Sequence, residues 1–170
     1  MDFLDLMKER YSVRDFSDKP VEEEKLQLIL EAGRLAPTAV NAQPQRVFVL
    51  KSPEAFSKAG QVTRMIYNAP VVLLICYDKS VAWSAAKYGS PEYISGEMDA
   101  SIVATSMMME ATQLGLGSLW ARAFNAEEMA RAFDLPEKII PACLLDLGYP
   151  RERTTERRPR YDLDVTTKIL

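Results

Sequence analysis

The sequence predicts a single layered domain in which helices and strands interleave, of the α+β or α/β class. Three observations carry this. Helical and strand periodicities alternate along the chain with no internal repeat and no low-complexity linker. The run PVVLLICYD, ending at Asp78, is almost unbroken apolar chain, the pattern of a strand buried on both faces of a sheet. The stretch from about Glu92 to Leu114 reads as a helix. With Ile102, Val103, Met107, Met109 and Ala111 it has too little polar surface to face water, and some of its cover is expected from a second subunit.

The remaining elements follow in order. Phe3, Leu4, Leu6 and Met7 give a short first helix with Asp2 as its cap. In DKPVEEEKLQLILEAGRLAP, Pro20 precedes a first turn of acids, and Leu26, Ile29, Leu30 and Gly33 repeat at helical spacing until Pro37 stops the helix. RVFVL (Arg46 to Leu50) reads as a strand, and SPEAFSKAG as a capped short helix ending at Gly60. Tyr88 to Glu92 reads as a turn-rich loop. LGLGSLWA passes through a turn into a strand, and Asn125 with Glu128 forms a capping-box pattern. IIPACLLDLGYP is the last core strand. The polar remainder, RERTTERRPRYDLDVTTKIL, carries five arginines between Arg151 and Arg160.

The bulk numbers narrow the chemistry. At 170 residues, 48% hydrophobic and 26% charged, the chain fits one domain with a full core. A net charge of -3 argues against general nucleic-acid binding. Cys76 and Cys143 sit in apolar runs, as buried free thiols of a reducing compartment would. No basic stretch followed by an apolar one opens the sequence, and no apolar run approaches the roughly 18 residues of a membrane span. A cytoplasmic location is the expectation. Histidine is absent. That removes imidazole-based triads and metal sites, and two distant cysteines do not make a zinc or iron–sulfur site. Any reaction must use a cofactor, carboxylates or hydroxyls.

Four segments are candidates for a site, each with a plainer reading. RYSVRDFSDK packs Arg10, Arg14, a hydroxyl and two aromatics into seven residues; it is either a solvated helix end or a grip for a phosphate. RRPRYDLD is a solvated tail or an anion-binding arm, since the guanidinium fork matches phosphate oxygens and Pro159 stiffens the backbone between Arg158 and Arg160. In LAPTAVNAQPQ, Thr38, Asn41 and Gln43 precede a strand; they serve turn chemistry or bind a ring with nitrogens and carbonyls. GLGSLW lacks GxGxxG spacing, so Gly115 and Gly117 mark either tight packing or a close approach to a flat ligand. Met107 to Met109 reads as core filler.

Together these segments resemble the nitroreductase family of flavoenzymes over nearly the whole chain. RYSVRDFSDKPV is similar to the family's opening arginine–serine–arginine motif, and LAPTAVNAQPQRVFVL to its proline–serine–asparagine–glutamine–proline segment. EATQLGLGSLWARAF resembles the late glycine-rich turn, and LGYPRERTTERRPRYDLDVT the closing segment.

The resemblance implies an α+β fold: a central, mostly antiparallel sheet flanked by helices, with a long buried central helix. It implies one domain over residues 1–170, with residues 151–170 an extension packing on a partner in a homodimer, and FMN at each of two interface sites. By position, Arg10, Ser12 and Arg160 would hold the phosphate, helped by Arg158; Tyr11 would also bind the cofactor, and Arg14 would lie near the pyrimidine side of the flavin. Pro37, Thr38, Asn41 and Gln43 would flank the cofactor, the first two from the partner. Main-chain groups of Leu119, Trp120, Ala121, Arg122 and Ala123 would face it, the Arg122 N–H donating to the reactive nitrogen.

NAD(P)H would be the reductant and a nitro compound, a quinone or a similar small molecule the acceptor, in ping-pong order. A flavin-binding, redox-sensing or interaction protein without turnover is the alternative. Departures from the family pattern are Gln45 where Trp is frequent, and Arg122–Ala123 in place of an acid–glycine or isoleucine–glycine pair. The chain is also short, leaving Ala82 to Glu92 as its lid.

Overall fold

The computed structural model of the protein describes residues 2–154 and 156–170. In chain order the elements are α1 (Phe3–Glu9), α2 (Glu23–Leu35), β1 (Gln45–Leu50), α3 (Pro53–Val62), β2 (Val71–Asp78), β3 (Ser84–Ala85), β4 (Ser90–Ile94), α4 (Gly96–Gln113), β5 (Gly117–Ala121), α5 (Ala126–Ala132), β6 (Ile139–Gly148) and α6 (Leu163–Thr166). Four strands form one sheet in the order β1-β2-β6-β5, every neighbouring pair antiparallel. The fold is α+β, with helices on both faces of this sheet.

Strand alternation explains the layering. Val71, Leu73, Ile75 and Tyr77 of β2 point to one face, where they meet Leu26 and Ile29 of α2 and Ala100, Val103 and Met107 of α4. Val72, Leu74 and Cys76 point to the other, against Ala59 of α3, Met129 of α5 and Phe16. All eight residues of β2 are buried, as its unbroken apolar run predicts. Both cysteines are free and buried, and burial pushes each thiol up to about 12.

Capping fixes the helix ends. Asp2 accepts from the Asp5 N–H, Ser52 from Ala55, and Asn125 from both Glu127 and Glu128. Helix α4 ends where Leu116 N–H donates to Ala111 carbonyl at 2.8 Å and Gly115 takes φ of 77°, a left-handed cap that suits glycine. That is the work of Gly115. At Gly117 a Cβ would stand 2.5 Å from Val13 Cγ2 and 3.2 Å from the Pro150 ring, so this glycine lets two chain segments touch. Both glycines serve packing and turns.

Two local expectations change. Tyr88 to Glu92 is not simply a loop: β4 covers Ser90–Ile94 and pairs with β3, and α4 starts at Gly96 rather than Glu92. Trp83 stands 6.2 Å from both Tyr88 and Tyr93, an aromatic cluster that gives this small hairpin a core. No helix among the described residues is long and apolar enough to cross a membrane.

Candidate functional site

The opening motif becomes a site because the chain leaves α1 fully extended and lies beside β5. Ser12 bridges to Ser118 in parallel, and Val13 N–H donates to the Ser118 carbonyl at 3.0 Å. Phe16 is fully buried and bridges to Pro150, Ser17 N–H donates to Tyr149 at 2.8 Å, and Arg151 N–H donates to Asp15 at 3.0 Å. Phe16 thus anchors the motif in the second core cluster, and Arg10 to Ser12 are held against the end of α4 and the start of β5.

The arginines of the closing segment come to the same place. Arg157 donates to the carbonyls of Lys8 (3.0 Å) and Glu9 (2.8 Å), and its guanidinium sits 4.7 Å above the Tyr11 ring. Arg153 donates to the Gly115 carbonyl at 3.2 Å. Burial holds the Arg10 guanidinium below its ordinary value, and the charges of Arg160 and Arg157 push the same way. Among the described residues neither Arg10, Arg158 nor Arg160 has a carboxylate partner within salt-bridge distance. Arg160 bonds only the carbonyls of Arg158 and Pro159.

Arg10 and Arg153 line a cleft together with Tyr11, Thr112, Ser118 and Thr154, and Arg157 stands at its rim over the Tyr11 ring. The Tyr11 and Ser118 hydroxyls are buried and have no hydrogen-bond partner among the described residues. Glu9 also lines the cleft but is paired with Arg157 at 3.6 Å, so the guanidinium groups left without a carboxylate beside the orphaned hydroxyls are those of Arg10 and Arg160, and they suit a polar anion. A phosphate ester fits that donor set.

Strand β5 leads away from the cleft. It pairs with β6 on one side and with the opening segment only at Ser118 on the other, so its main chain has an open edge beyond that point among the described residues. Leu119 and Ala121 point into the core, which leaves only main-chain groups to meet a ligand there, while Trp120 is part-exposed. The Arg122 side chain is engaged with Glu97 (3.6 Å) and with the carbonyl and ring of Phe124. The Ala123 carbonyl accepts from Thr63 at 2.9 Å. Arg14 is exposed and leans on the Ser12 carbonyl at 3.4 Å.

The segment with Pro37, Thr38, Asn41 and Gln43 is not part of this cleft within one chain. It is tied to the first turn of α4, where Asp99 accepts from the Ala39 N–H at 2.8 Å. Thr112, in the cleft, stands 13 positions further along the same helix, about 20 Å away at 1.5 Å per residue. Pro37, Asn41 and Gln43 are exposed.

Arg158 is exposed, and its neighbour Arg157 is the one that reaches Tyr11. Two adjacent arginines carry no signal of which will turn inward; the backbone decides. Ser118, too, carries no signal in the sequence that it belongs to a site. The signal for Asp99 was available: an acid inside an apolar helix needs a partner.

Comparison with known proteins agrees with this architecture. The family model described as "Nitroreductase family" matches residues 7–65 and 56–149. A crystal structure of a nitroreductase family protein from Clostridium difficile 630 superposes with a TM-score of 0.92 at 37% identity, covering 99% of this chain and 98% of that one. A protein of Methanothermobacter thermautotrophicus named "Putative NADH dehydrogenase/NAD(P)H nitroreductase" is 32% identical over 92% of this chain and 82% of its own length. The "FMN reductase [NAD(P)H]" of Bacillus subtilis strain 168 is 30% identical over 88% of this chain and 66% of its own. At 20% identity, a structure from Exiguobacterium sibiricum 255-15 solved in complex with FMN shares the fold, with a TM-score of 0.84 over 100% of this chain and 98% of that one. Fold, motif order and these similarities agree: the chain belongs to the nitroreductase family.

Proposed function

We propose that the protein is an FMN-dependent oxidoreductase that takes hydride from NAD(P)H and reduces nitroaromatic, quinone or similar small acceptors. The observation that carries this is the meeting of Arg10 with Arg157 and Arg160 beside the unpartnered Tyr11 and Ser118 hydroxyls, at the head of an open strand edge. Five residues of β5 span about 17 Å, the scale of a mononucleotide.

The phosphate is held by Arg10 and Arg160, with Arg157 and Arg158 adding charge and the Tyr11, Ser12 and Ser118 hydroxyls adding hydrogen bonds. Arg14 places a cation beside the pyrimidine edge. Along β5 the main chain from Leu119 to Ala123 would line the ring, with the Arg122 N–H as the donor to its reactive nitrogen; the Arg122 side chain itself is engaged with Glu97 and Phe124. When bound, the flavin supplies the two-electron chemistry, and the protein supplies orientation and field. The hairpin β3–β4, which packs next to the start of α4, would serve as the lid. One space serves donor and acceptor in turn, giving ping-pong kinetics. The absence of histidine is compatible with this, because protons come from solvent.

The working unit is a homodimer. Phe3, Leu4 and Met7 of α1 and Tyr161, Leu163, Val165, Ile169 and Leu170 of the C-terminal extension are exposed in the single chain, more apolar surface than a monomer normally leaves in water. A partner copy covers them, and it brings Pro37 and Thr38 to the flavin.

An anaerobic absorbance scan of purified protein, before and after each nicotinamide, tests the proposal. A flavin spectrum with about one FMN per chain that bleaches on NADH or NADPH is the expected result. A flavin that neither nucleotide bleaches favours a binding or sensing protein without turnover. Colourless protein that refuses added FMN refutes the cofactor.

A further inference from the structure

We infer that Asp99 is a positioning residue, whose buried carboxylate holds the loop from Pro37 to Gln43 in the shape in which it meets the flavin; this rests on the function proposed above. Asp99 is one of the few buried charged side chains, at the first turn of α4 where the helix end favours negative charge. Both of its oxygens are used. Oδ1 accepts from the Ala39 N–H at 2.8 Å, and Oδ2 accepts from the Ser95 hydroxyl at 2.6 Å. Charge-assisted bonds of this length, shielded from water, are the strong kind.

The loop has reason to need such a tie. Val40, Asn41 and Gln43 have φ of 47°, 57° and 50°, in the left-handed region. For a β-branched residue like Val40 this is a costly conformation. Val40 is 76% exposed, so packing within the chain does not hold it there. Most hydrogen bonds of the loop are local: Asn41 N–H to Thr38 carbonyl, Ala42 N–H to Ala39 carbonyl, Gln43 N–H to Thr38 Oγ1, and Arg46 to the Gln43 carbonyl. The bond to Asp99 is the one that reaches a distant element, 60 positions away. Strained backbone persists where its surroundings over-determine it, and here the Asp99 carboxylate supplies the long-range part of that constraint. Thr38 and Asn41, on either side of Ala39, are the groups proposed to meet the cofactor. Asp99 itself touches none of it.

The test is FMN titration of flavin-stripped protein, followed by fluorescence quenching, for wild type, Asp99→Ala, Asp99→Asn and Ser95→Ala. Melting temperatures and hydrogen exchange at the Ala39 amide of flavin-free wild type accompany it. Asp99→Ala is expected to raise the Kd for FMN about tenfold or more. Asp99→Asn keeps an oxygen for Ala39 and stays near wild type. Ser95→Ala unpairs only the other oxygen, so it lowers the melting temperature and leaves the Kd in place. Ala39 is expected to be protected before flavin is added.

Wild-type affinity in Asp99→Ala overturns the inference. So does an equal loss of affinity in Ser95→Ala, which would make the role merely structural, and so does free exchange at Ala39. Should Asp99→Ala fail to fold, the exchange measurement and the Ser95→Ala comparison still decide. Wild-type protein that takes up no FMN is a different outcome: it removes the cofactor reading itself.

Discussion

Asp146 is a carboxyl group with no partner in the middle of a sheet. It lies on β6 opposite Val72 and Leu119 and shares its face of the strand with Leu144. It is fully buried, and neither oxygen has a hydrogen-bond partner among the described residues. Burial alone pushes this carboxyl from 3.8 up to about 8. The folded state therefore binds a proton that the unfolded chain has already lost throughout the interval from about pH 4 to pH 8. Stability must then fall as pH rises through this interval and level off above it. The slope is about 1.4 kcal/mol per pH unit, and the whole interval amounts to about 6 kcal/mol as an upper limit. For a chain of this size that is roughly 3–6 °C of Tm per pH unit.

The sequence makes the measurement clean, because without histidine no other side chain with an ordinary pKa titrates between pH 5 and 8. Asp78, whose carboxylate is held down at about 2 first by its bond to Ser80 and also by Lys138, acts in a lower window: its contribution is present above pH 4 and lost as pH falls toward 2. Urea unfolding of flavin-stripped protein at pH 5, 6, 7 and 8 reads the effect without the pH dependence that a bound ligand would add. Asp146→Asn cannot ionise and is expected to flatten the profile, meeting or exceeding wild type at pH 8. A wild-type profile that is flat from pH 5 to 8, or a slope that survives in Asp146→Asn, would refute the reasoning.

Four further outcomes are expected. Arg160→Ala should weaken FMN binding about 10–100-fold, the loss of one charge-assisted contact, and the double change with Arg10→Ala should be non-additive because both face one dianion; isothermal titration of the three variants checks this. Gly117→Ala should destabilise by about 1–3 kcal/mol by driving a methyl group against Val13 and Pro150, which a urea melt reads. Asn125→Ala removes the acceptor of two α5 amides and should cost about 1 kcal/mol in the same assay. Light scattering should give twice the chain mass, and removing residues 159–170 should shift it toward one.

The elements were legible in the sequence wherever one local cause decides them. The apolar run of β2, the caps at Asp2, Ser52 and Asn125, and the apolar belt of α4 each depend on residues within a few positions of one another. The small β4 strand was missed because its stability comes from Trp83 meeting Tyr88 and Tyr93, not from a pattern in Ser90–Ile94 itself. In the candidate site, the sequence by itself determined the kinds of groups available: guanidinium at both ends of the chain, amides and hydroxyls between, no imidazole anywhere.

Tertiary structure decided which of those groups meet. Arg10 and Arg160 lie 150 positions apart and converge only because Val13 and Phe16 pin the opening segment to β5 and Pro150. Between Arg157 and Arg158, the choice rests on which side chain the backbone turns toward Tyr11. Ser118 and Asp146 read as ordinary polar residues until burial leaves their side chains without a partner among the described residues. Desolvation is a property of everything packed around a group, and no window along the chain contains it.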